Sequence, residues 1–299
     1  MIREQQDKTV GFIGLGSMGA GMAQCAIRRG LKVHLYARRP EALAAFPEGA
    51  AVVHDTPQAL AQACDVVVLS LPDAPAVEAV LFDSNGLAAG LPAGAVVVDT
   101  STIAAASAQA FGKKLAAQGV GYLDAPVSGG QAGAQAGTLT CMIGGDAEHL
   151  EACREILSAF CTTYTRVGAL GAGQTVKACN QVAVAGAMLG VADALALARA
   201  QGVDPTIMRD VLLQGSARSF PMEKHAPRII EQQFEPGFRA QLMRKDLRLA
   251  LDTARACDTD LAATPVAERL LDAMCNDGRG DWDWCGVALE VGKAAGKPR

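Results

Sequence analysis

A strand, a glycine loop and a helix follow one another within the first thirty residues, and this order restricts the fold more than any other feature. The β-branched run TVGFIG (9–14) leads into Gly14, Gly16 and Gly19, spaced G-x-G-x-x-G, and a helical segment follows. In that context the glycines allow a tight turn, a close approach of backbone to a pyrophosphate, and close packing of helix on sheet. The pattern predicts a βαβ unit, with a tight turn that binds nothing as the alternative. The dinucleotide-binding residues predicted from this loop are Gly14, Leu15, Gly16, Ser17, Met18 and Gly19.

Short β-branched runs alternate with alanine-rich helical segments from Thr9 to about Val167. Continuous apolar strands separated by helices are typical of a mostly parallel sheet that is covered on both faces. The fold class is therefore predicted as α/β, with an N-terminal Rossmann-type doubly wound sheet. The predicted strands are residues 9–14, 32–36, 51–53, 65–71, 95–99, 121–125, 138–144 and 162–167.

The strand pattern stops after Gly168. The next segment indicates one helix of about thirty residues, roughly 45 Å long at 1.5 Å per residue, and several amphipathic helices follow it. We predict three parts: an NAD(P)-binding domain (1–168), an interdomain helix (169–201) and an all-α substrate and dimerisation domain (202–299). A helix so long and apolar needs more covering surface than a small domain offers, which favours a homodimer or homotetramer.

Composition and charge argue against several classes of function. The 299 residues carry a formal net charge of −4 and no basic run typical of a nucleic-acid-binding surface. The nine cysteines are scattered without a C-x-x-C pair and the four histidines are far apart, so no metal site is predicted. This cysteine usage favours a reducing, cytoplasmic location. The start MIREQQDKTV has no apolar targeting segment and no uninterrupted apolar span has membrane length, so no membrane partner is expected.

The end of the second predicted strand bears on the choice of nicotinamide cofactor. An NAD site usually has Asp or Glu there for the ribose 2′-hydroxyl. This chain has Ala37 at that place, followed by Arg38 and Arg39, and guanidinium groups suit a 2′-phosphate. The three residues predict NADP as the preferred cofactor over NAD, unless both arginines are merely solvated at a strand end.

The segment GQTVKACNQ (173–181) places a single lysine among small and uncharged residues at the start of the long helix. Most lysines are solvated, so a surface position or an ion pair is the simplest interpretation. Asn180 lies three positions after Lys177, and on a helix the two side chains share one face with Cβ atoms about 5–6 Å apart. An amide that does not titrate, next to an amine that does, is suited to orienting an oxygen for proton transfer.

Four stretches together resemble one family. They are GFIGLGSMG near the start, DAPVSGGQAGAQAGTL (124–139), GAGQTVKACNQ (171–181) and KDLRLAL (245–251), and they occur in the order and spacing of that family. Over nearly its whole length the chain is similar to the β-hydroxyacid dehydrogenases, which include 3-hydroxyisobutyrate dehydrogenase, tartronate semialdehyde reductase and the glyoxylate/succinic semialdehyde reductases. The resemblance implies an oxidoreductase that moves a hydride between NAD(P) and a small carboxylate substrate.

The resemblance also implies roles for individual residues. Lys177 matches the catalytic lysine and Asn180 the substrate-orienting asparagine. The substrate-binding motif corresponds to Ser128, Gly129 and Gly130. The positions that would contact the cofactor outside the glycine loop are Leu71, Pro72, Thr102 and, from the second domain, Lys245. Two departures are Ala37, where the family often has Asn or Asp, and Asn180-Gln181, where many members have Asn-Asn and the tartronate semialdehyde reductases have Asn-Gln.

These residue types suit the chemistry that the resemblance implies. Oxidising an alcohol removes a hydride from carbon and a proton from oxygen, and the nicotinamide accepts only the first. A lysine in a dry environment can take the proton, because desolvation disfavours the ammonium form. In the opposite direction the protonated amine would donate to the developing alkoxide. Consecutive glycines after a strand let backbone N–H groups converge on an anion such as a carboxylate, although they also occur in plain turns.

Two other functions remain open at this point. An imine reductase would have the same fold, but such relatives tend to replace the lysine. A non-catalytic dinucleotide-binding module is the second alternative, and such relatives typically lose the lysine as well. The substrate itself is not specified: methylmalonate, tartronate and succinate semialdehydes, glyoxylate and larger acids such as threonate differ by a few atoms.

Overall fold

The computed structural model describes residues 8–291, and the remaining residues of the predicted outer domains, 1–7 and 292–299, lie outside the described part. The chain divides into two compact units, Met1–Lys177 and Ala178–Arg299. We refer to them as the N-terminal unit and the C-terminal unit. One long helix begins in the first and continues into the second.

The N-terminal unit is built on one sheet, in the order β3-β2-β1-β4-β5-β6-β8-β7 with β9 paired to β8. Strands β1 to β6 are all parallel, whereas β8 runs antiparallel to both β6 and β7 and parallel to β9. The order reverses between β1 and β4, which is where such sheets bind ligands. The strands are β1 Thr9–Ile13, β2 Lys32–Tyr36, β3 Val52–Val53, β4 Val66–Leu69, β5 Val96–Asp99, β6 Gly121–Asp124, β7 Val127–Ser128, β8 Leu139–Gly144 and β9 Cys161–Gly168.

Helices cover both faces of this sheet. The central strands are buried along their whole length, and alternate residues enter two separate cores: Val66 and Val68 face one, Val67 and Leu69 the other. This explains why the strands are continuous apolar runs rather than alternating ones. The helices are α1 Ser17–Arg28, α2 Pro57–Gln62, α3 Ala74–Phe82, α4 Ala105–Ala116, α5 Gly130–Ala136, α6 Ala147–Phe160 and α7 Ala172–Ala200, with 3-10 turns at Pro40–Ala45 and Leu87–Ala89.

The C-terminal unit is helical throughout its described residues. Its core is formed by one face of α7 together with apolar side chains of the later helices, among them Met188, Leu195, Met243, Leu271 and Trp284. The elements after α7 are α8 Pro205–Leu212, α9 Ala226–Ile230, α10 Ala240–Ala256 and α11 Thr264–Met274, with π-type turns at Pro221–His225 and Cys275–Arg279 and a 3-10 segment at Trp284–Leu289.

The predicted fold class is confirmed: a parallel-dominated sheet with helices on both faces is followed by an all-helical region. The sequence interpretation missed two short elements, β7 and α5, because it treated the segment around Ser128 as a glycine turn. Gly129 and Gly130 do adopt positive φ angles of 133° and 63°, and helix α5 begins directly at Gly130.

Helix α7 is unusually apolar for its length. By length and composition alone it is apolar enough to cross a membrane, with a mean hydropathy of 1.7 over its most apolar 18 residues, although core helices meet the same test. Lys177, Asp193 and Arg199 interrupt its apolar sequence. Ala185, Met188 and Leu195 on one of its faces are packed into the core of the C-terminal unit.

Candidate active site

The glycine loop lies between β1 and α1 and has the geometry that its spacing predicts. Gly14 has φ +92°, and a Cβ there would lie 2.2 Å from the Ser70 carbonyl oxygen. A Cβ on Gly19 would lie 2.0 Å from the Gly14 carbonyl oxygen, so helix and strand need both glycines to pack. A Cβ on Gly16, in contrast, would meet nothing within 4 Å. The open space at Gly16, at the N-cap of α1, fits a pyrophosphate approaching the helix N-terminus.

The loops after β4 and β5 are joined to the glycine loop at the same edge of the sheet. Leu71 is half-buried and Pro72 exposed, and the Leu71 N–H donates to the Ser101 hydroxyl at 2.9 Å. Thr102 is the next residue and is half-buried. The structure thus brings the predicted cofactor residues of three strands together where β1, β4 and β5 end. We call this the carboxyl edge of the sheet.

A groove of about 650 Å³ runs from the glycine loop to the end of β2. Leu15, Gly16 and Ser17 line one part of it, and Arg39 lines another beside Glu41. Ala37 is half-buried against the core, and Arg38 is exposed and is not among the groove residues. The groove also passes Gln24 of α1 and Gln131 and Gln135 of α5.

Lys177 lies in the second turn of α7 and is only 7% exposed. Its Nζ donates to the Val127 carbonyl oxygen at 2.9 Å. Val127 is followed directly by the predicted substrate motif, in which Ser128 is half-buried, Gly129 exposed and Gly130 half-buried. The structure therefore places the amine in a dry position beside that motif rather than on the surface.

Two buried side chains that the sequence interpretation did not single out hold the beginning of α7. The Asp124 carboxylate accepts the N–H of Gly171 at 2.8 Å and the N–H of Gln174 at 2.9 Å. The Gln174 amide donates to the Ser101 carbonyl oxygen at 2.8 Å and accepts the Ile103 N–H at 3.1 Å. Burial raises the pKa of Asp124, and the N–H groups of Gly171 and Gln174 oppose that rise.

A second buried carboxylate lies beside the first. Asp99 ends β5 and is the register partner of Asp124 on β6. It accepts the Tyr122 hydroxyl at 2.6 Å and the Ser101 N–H at 2.9 Å. Burial raises the pKa of Asp99 to about 6, against the hydrogen bonds from Ser101 and Tyr122 that favour the ionised form. The loop after β5 is thus tied through the Ser101 N–H to a buried acid whose pKa is raised.

The C-terminal unit has its own chain of polar side chains. The Asn180 amide donates to Gln181 Oε1 at 2.8 Å, and Gln181 Nε2 donates to Asp246 Oδ2 at 2.7 Å. Lys245 Nζ lies 3.1 Å from the other Asp246 oxygen. Gln181 and Asp246 are 4% and 3% exposed. Gln181, which follows Asn180 in the chain, is therefore a buried link between Asn180 and the Lys245–Asp246 pair.

His225, Asp283 and Cys285 form a cluster in which one potential ligand atom of each lies within 4.8 Å of the others. Sequence spacing gave no sign of it, because the histidine is far from the other two. The Asp283 carboxylate already accepts the N–H groups of Gly237 and Phe238 and lies 3.0 Å from Arg228. These bonds and the guanidinium charge account for the carboxylate without a cation.

Comparison with known proteins agrees with this geometry. Residues 9–168 match the family model described as the NAD binding domain of 6-phosphogluconate dehydrogenase, and residues 171–289 match the NAD-binding model of NADP-dependent 3-hydroxyisobutyrate dehydrogenase. The chain is 38% identical to 2-hydroxy-3-oxopropionate reductase of Escherichia coli, over 94% of this chain and 97% of that protein. It is 37% identical to L-threonate dehydrogenase of Cupriavidus necator, over 92% and 93%.

A solved structure is similar over the same length. The crystal structure of 3-hydroxyisobutyrate dehydrogenase from Salmonella typhimurium superposes with a TM-score of 0.84 at 31% identity, covering 95% of this chain and 99% of that one. Together with the glycine loop and groove, these similarities show that the protein is a nicotinamide-dinucleotide-binding oxidoreductase. The chain belongs to the β-hydroxyacid dehydrogenase family.

Proposed function

We propose that the protein interconverts a small β-hydroxyacid and its semialdehyde, with NADP as the preferred cofactor and Lys177 as the general acid and base. The observation that carries this proposal is the buried Lys177 amine, 2.9 Å from the carbonyl of the residue that precedes Ser128. The cofactor, when bound, would supply the hydride as NADPH in reduction and accept it as NADP+ in oxidation. The residues of the chain bind and orient the substrate and move the proton.

Each predicted substrate residue has a role that its local geometry supports. Gly129 and Gly130 have positive φ angles and lie at the start of α5, and we assign their backbone N–H groups, with the Ser128 hydroxyl as a further donor, to the substrate anion. This arrangement is suited to a carboxylate. Asn180 follows Lys177 by three positions on α7, and we assign its amide, which also donates to Gln181, the role of holding the reacting oxygen. In reduction Lys177 donates a proton to that oxygen, and in oxidation it removes one.

The cofactor preference rests on the end of β2. Ala37 offers no carboxylate to a ribose 2′-hydroxyl, and Arg38 and Arg39 follow it. Of the two, Arg39 lines the groove that begins at the glycine loop. We assign Arg39 the main contact to a 2′-phosphate and Arg38 a weaker, longer-range attraction.

The substrate class follows from the small carboxylates named for the relatives. The Asn180–Gln181 pair resembles the tartronate semialdehyde reductases, and 2-hydroxy-3-oxopropionate is the substrate named for the E. coli relative. We place this substrate first, ahead of methylmalonate and succinate semialdehydes. Larger acids such as threonate come next, since that acid is named for the Cupriavidus relative.

The test is a screen of aldehydes, hydroxyacids and cyclic imines with NADPH and NADH, read as kcat/KM from nicotinamide absorbance. We expect turnover of a carboxylate-bearing aldehyde with NADPH, and a loss of about 10²–10⁴-fold in Lys177→Ala while NADPH still binds. Turnover of imines alone would favour an imine reductase. Binding of NADPH without any turnover would favour a non-catalytic module, and full activity of Lys177→Ala would remove the lysine from the mechanism.

We further propose a cytoplasmic homodimer or homotetramer. Helix α8 has no buried residue, and Ile207 and Val211, one turn apart on it, are 64% and 65% exposed. Leu197 on α7 is 65% exposed as well. Adjoining exposed apolar side chains, such as Ile207 and Val211 on one face of α8, are typical of an interface. Sedimentation velocity should give a smaller species for Ile207→Glu than for Thr206→Glu, a matched change at an exposed polar position of the same helix, and an unchanged mass would count against this interface.

A further inference from the structure

We propose that Asp124 and Gln174 are positioning residues for proton transfer. The Asp124 carboxylate ties the first turn of α7 to the end of β6. The Gln174 amide ties the same turn, and with it the Lys177 amine, to the backbone on either side of Thr102. This inference rests on the role proposed for Lys177, and it assigns functions to two residues that the sequence analysis did not single out.

Asp124 replaces a missing cap on α7. The residue before the helix is Gly171, which has no side chain to satisfy the first N–H groups. In an ordinary capping box two side chains close the N-cap and N3 N–H groups. Here one carboxylate from the end of β6 does both, through the N–H groups of Gly171 and Gln174. Its negative charge also complements the positive end of the helix.

The backbone of this turn is in direct contact with the sheet. A Cβ on Gly173 would lie 2.5 Å from the carbonyl oxygens of both Asp124 and Met142. Gly171 has φ +93°, a conformation that glycine adopts without strain. The two glycines of GAG therefore let the helix start close to β6, where the Asp124 carboxylate reaches it.

Gln174 links the same turn to the cofactor loop. Its amide spans Thr102: the NH2 group donates to the carbonyl before this residue, on Ser101, and the oxygen accepts the N–H after it, on Ile103. Gln174 is 3% exposed, so both bonds are shielded from water. Because both the NH2 group and the oxygen of the Gln174 amide are hydrogen-bonded, this side chain fixes the position of the loop after β5 relative to α7.

Lys177 lies three positions after Gln174, on the same face of the helix. Its Nζ bond to the Val127 carbonyl anchors the far end of the side chain to the segment that begins at Asp124. The Asp124 carboxylate, the Gln174 amide and the Val127 carbonyl together thus fix the position of the lysine amine relative to the loop that contains Thr102. A shift of about 1 Å between reacting groups costs on the order of 10²-fold in rate, so small changes here act on kcat.

The test compares Gln174→Met, which keeps the size of the side chain and loses both bonds, with Gln109→Met. Gln109 is exposed and donates to the Leu170 carbonyl just before the helix. It is therefore a matched glutamine that takes no part in the hydrogen bonds of Asp124 and Gln174. We expect kcat to fall about 10–100-fold in Gln174→Met, with KM and the NADPH dissociation constant within about threefold of wild type. Gln109→Met should change none of these. Asp124→Asn, which keeps one acceptor oxygen, is the second variant. We expect a smaller fall in kcat for it, again with little change in KM.

The Lys177→Ala background separates positioning from a general structural effect. If Gln174 acts through the lysine, adding Gln174→Met to Lys177→Ala should lower kcat by less than about twofold, because the effects of coupled residues are not additive. An equal loss in both backgrounds, or unchanged kcat in Gln174→Met and Asp124→Asn, would overturn the positioning role while the proposed function stands. Full turnover of Lys177→Ala alone would overturn the proposed function itself.

Discussion

The two ends of the carboxyl edge of the sheet are built in opposite ways. At the β5–β6 end Asp99, Asp124, Gln174 and Lys177 are all buried, and each is held by hydrogen bonds that mostly involve backbone groups. At the β2 end Arg38 and Arg39 are exposed. Proton transfer needs groups fixed to within a fraction of an ångström, whereas attraction of a phosphate tolerates long, mobile side chains. The difference supports our proposal that proton transfer takes place at the first end and cofactor selection at the second.

The largest expected effect is the loss of kcat when Lys177, at the buried β5–β6 end, is replaced. Lys177→Arg keeps a positive charge but cannot release a proton near neutral pH, so kcat should fall by about 10²–10³-fold although the charge remains. Steady-state rates with the best aldehyde and NADPH measure this. Lys114→Arg, at an exposed ion pair with Glu78, is the control and should leave the rate unchanged. An active Lys177→Arg enzyme would mean that charge alone is needed.

The next effect concerns stability and pH at the same end. The pKa of Asp99 is raised from 3.8 to about 6, so the folded protein binds more protons than the unfolded chain between these values. Stability should therefore fall as pH rises from about 4 to 6, by on the order of 3 kcal/mol, and then level off. The neighbouring Asp124, whose pKa is also raised, contributes in the same direction.

Asp99→Asn isolates this contribution, because the amide does not titrate there. The free energy of unfolding, measured in denaturant at pH 4.5 and 7, should fall less with rising pH in the variant than in wild type. An identical pH dependence in the two proteins would show that Asp99 ionises as it does in the unfolded chain.

A smaller effect is expected on thermal stability, from the close backbone packing at the start of α7. Gly173→Ala would place a methyl group 2.5 Å from two carbonyl oxygens, and such overpacking costs typically about 1–3 kcal/mol. Thermal unfolding should shift down by about 3–10 °C. In the matched Gly112→Ala, on α4, the new methyl group comes too close only to the end of the flexible Leu170 side chain and makes an ordinary 3.4 Å contact with Tyr122, so a much smaller shift is expected. Equal shifts would contradict the tight contact at the start of α7.

The smallest effect concerns the exposed end. Arg39→Ala should raise KM for NADPH about 10-fold or more while KM for NADH stays within about twofold, since a charge-assisted hydrogen bond contributes about 1.5–3 kcal/mol. Arg38→Ala, which changes the neighbouring arginine outside the groove, should have a weaker effect. Equal effects on both cofactors would remove the 2′-phosphate contact.

Much of the fold was predictable because its signals are local. The strands from Thr9–Ile13 to Cys161–Gly168 begin and end within two residues of their predicted bounds, since buried parallel strands are continuous β-branched runs. The exceptions are β7 and α5, which are too short for a periodic pattern and follow Ser128, where glycine is also typical of a turn.

The site was only partly predictable for a related reason. The glycine loop and the Lys177 segment are contiguous motifs, so their residues could be named from the sequence. Asp124 and Gln174 act across gaps of 47 to 73 positions, and no spacing rule joins them to Gly171 or to Ser101. Gln181 and Asp246 lie 65 positions apart, and their hydrogen bond could not be predicted for the same reason.

The central claim is that the Lys177 amine moves the proton, and its most direct measurement is chemical rescue of Lys177→Ala. The variant should turn over NADPH and aldehyde at least about 10²-fold more slowly than wild type, and added ethylamine should restore part of the rate in proportion to its concentration. Tetramethylammonium, which carries charge but no transferable proton, should not restore it. A variant that turns over at the wild-type rate without any added amine would contradict the claim.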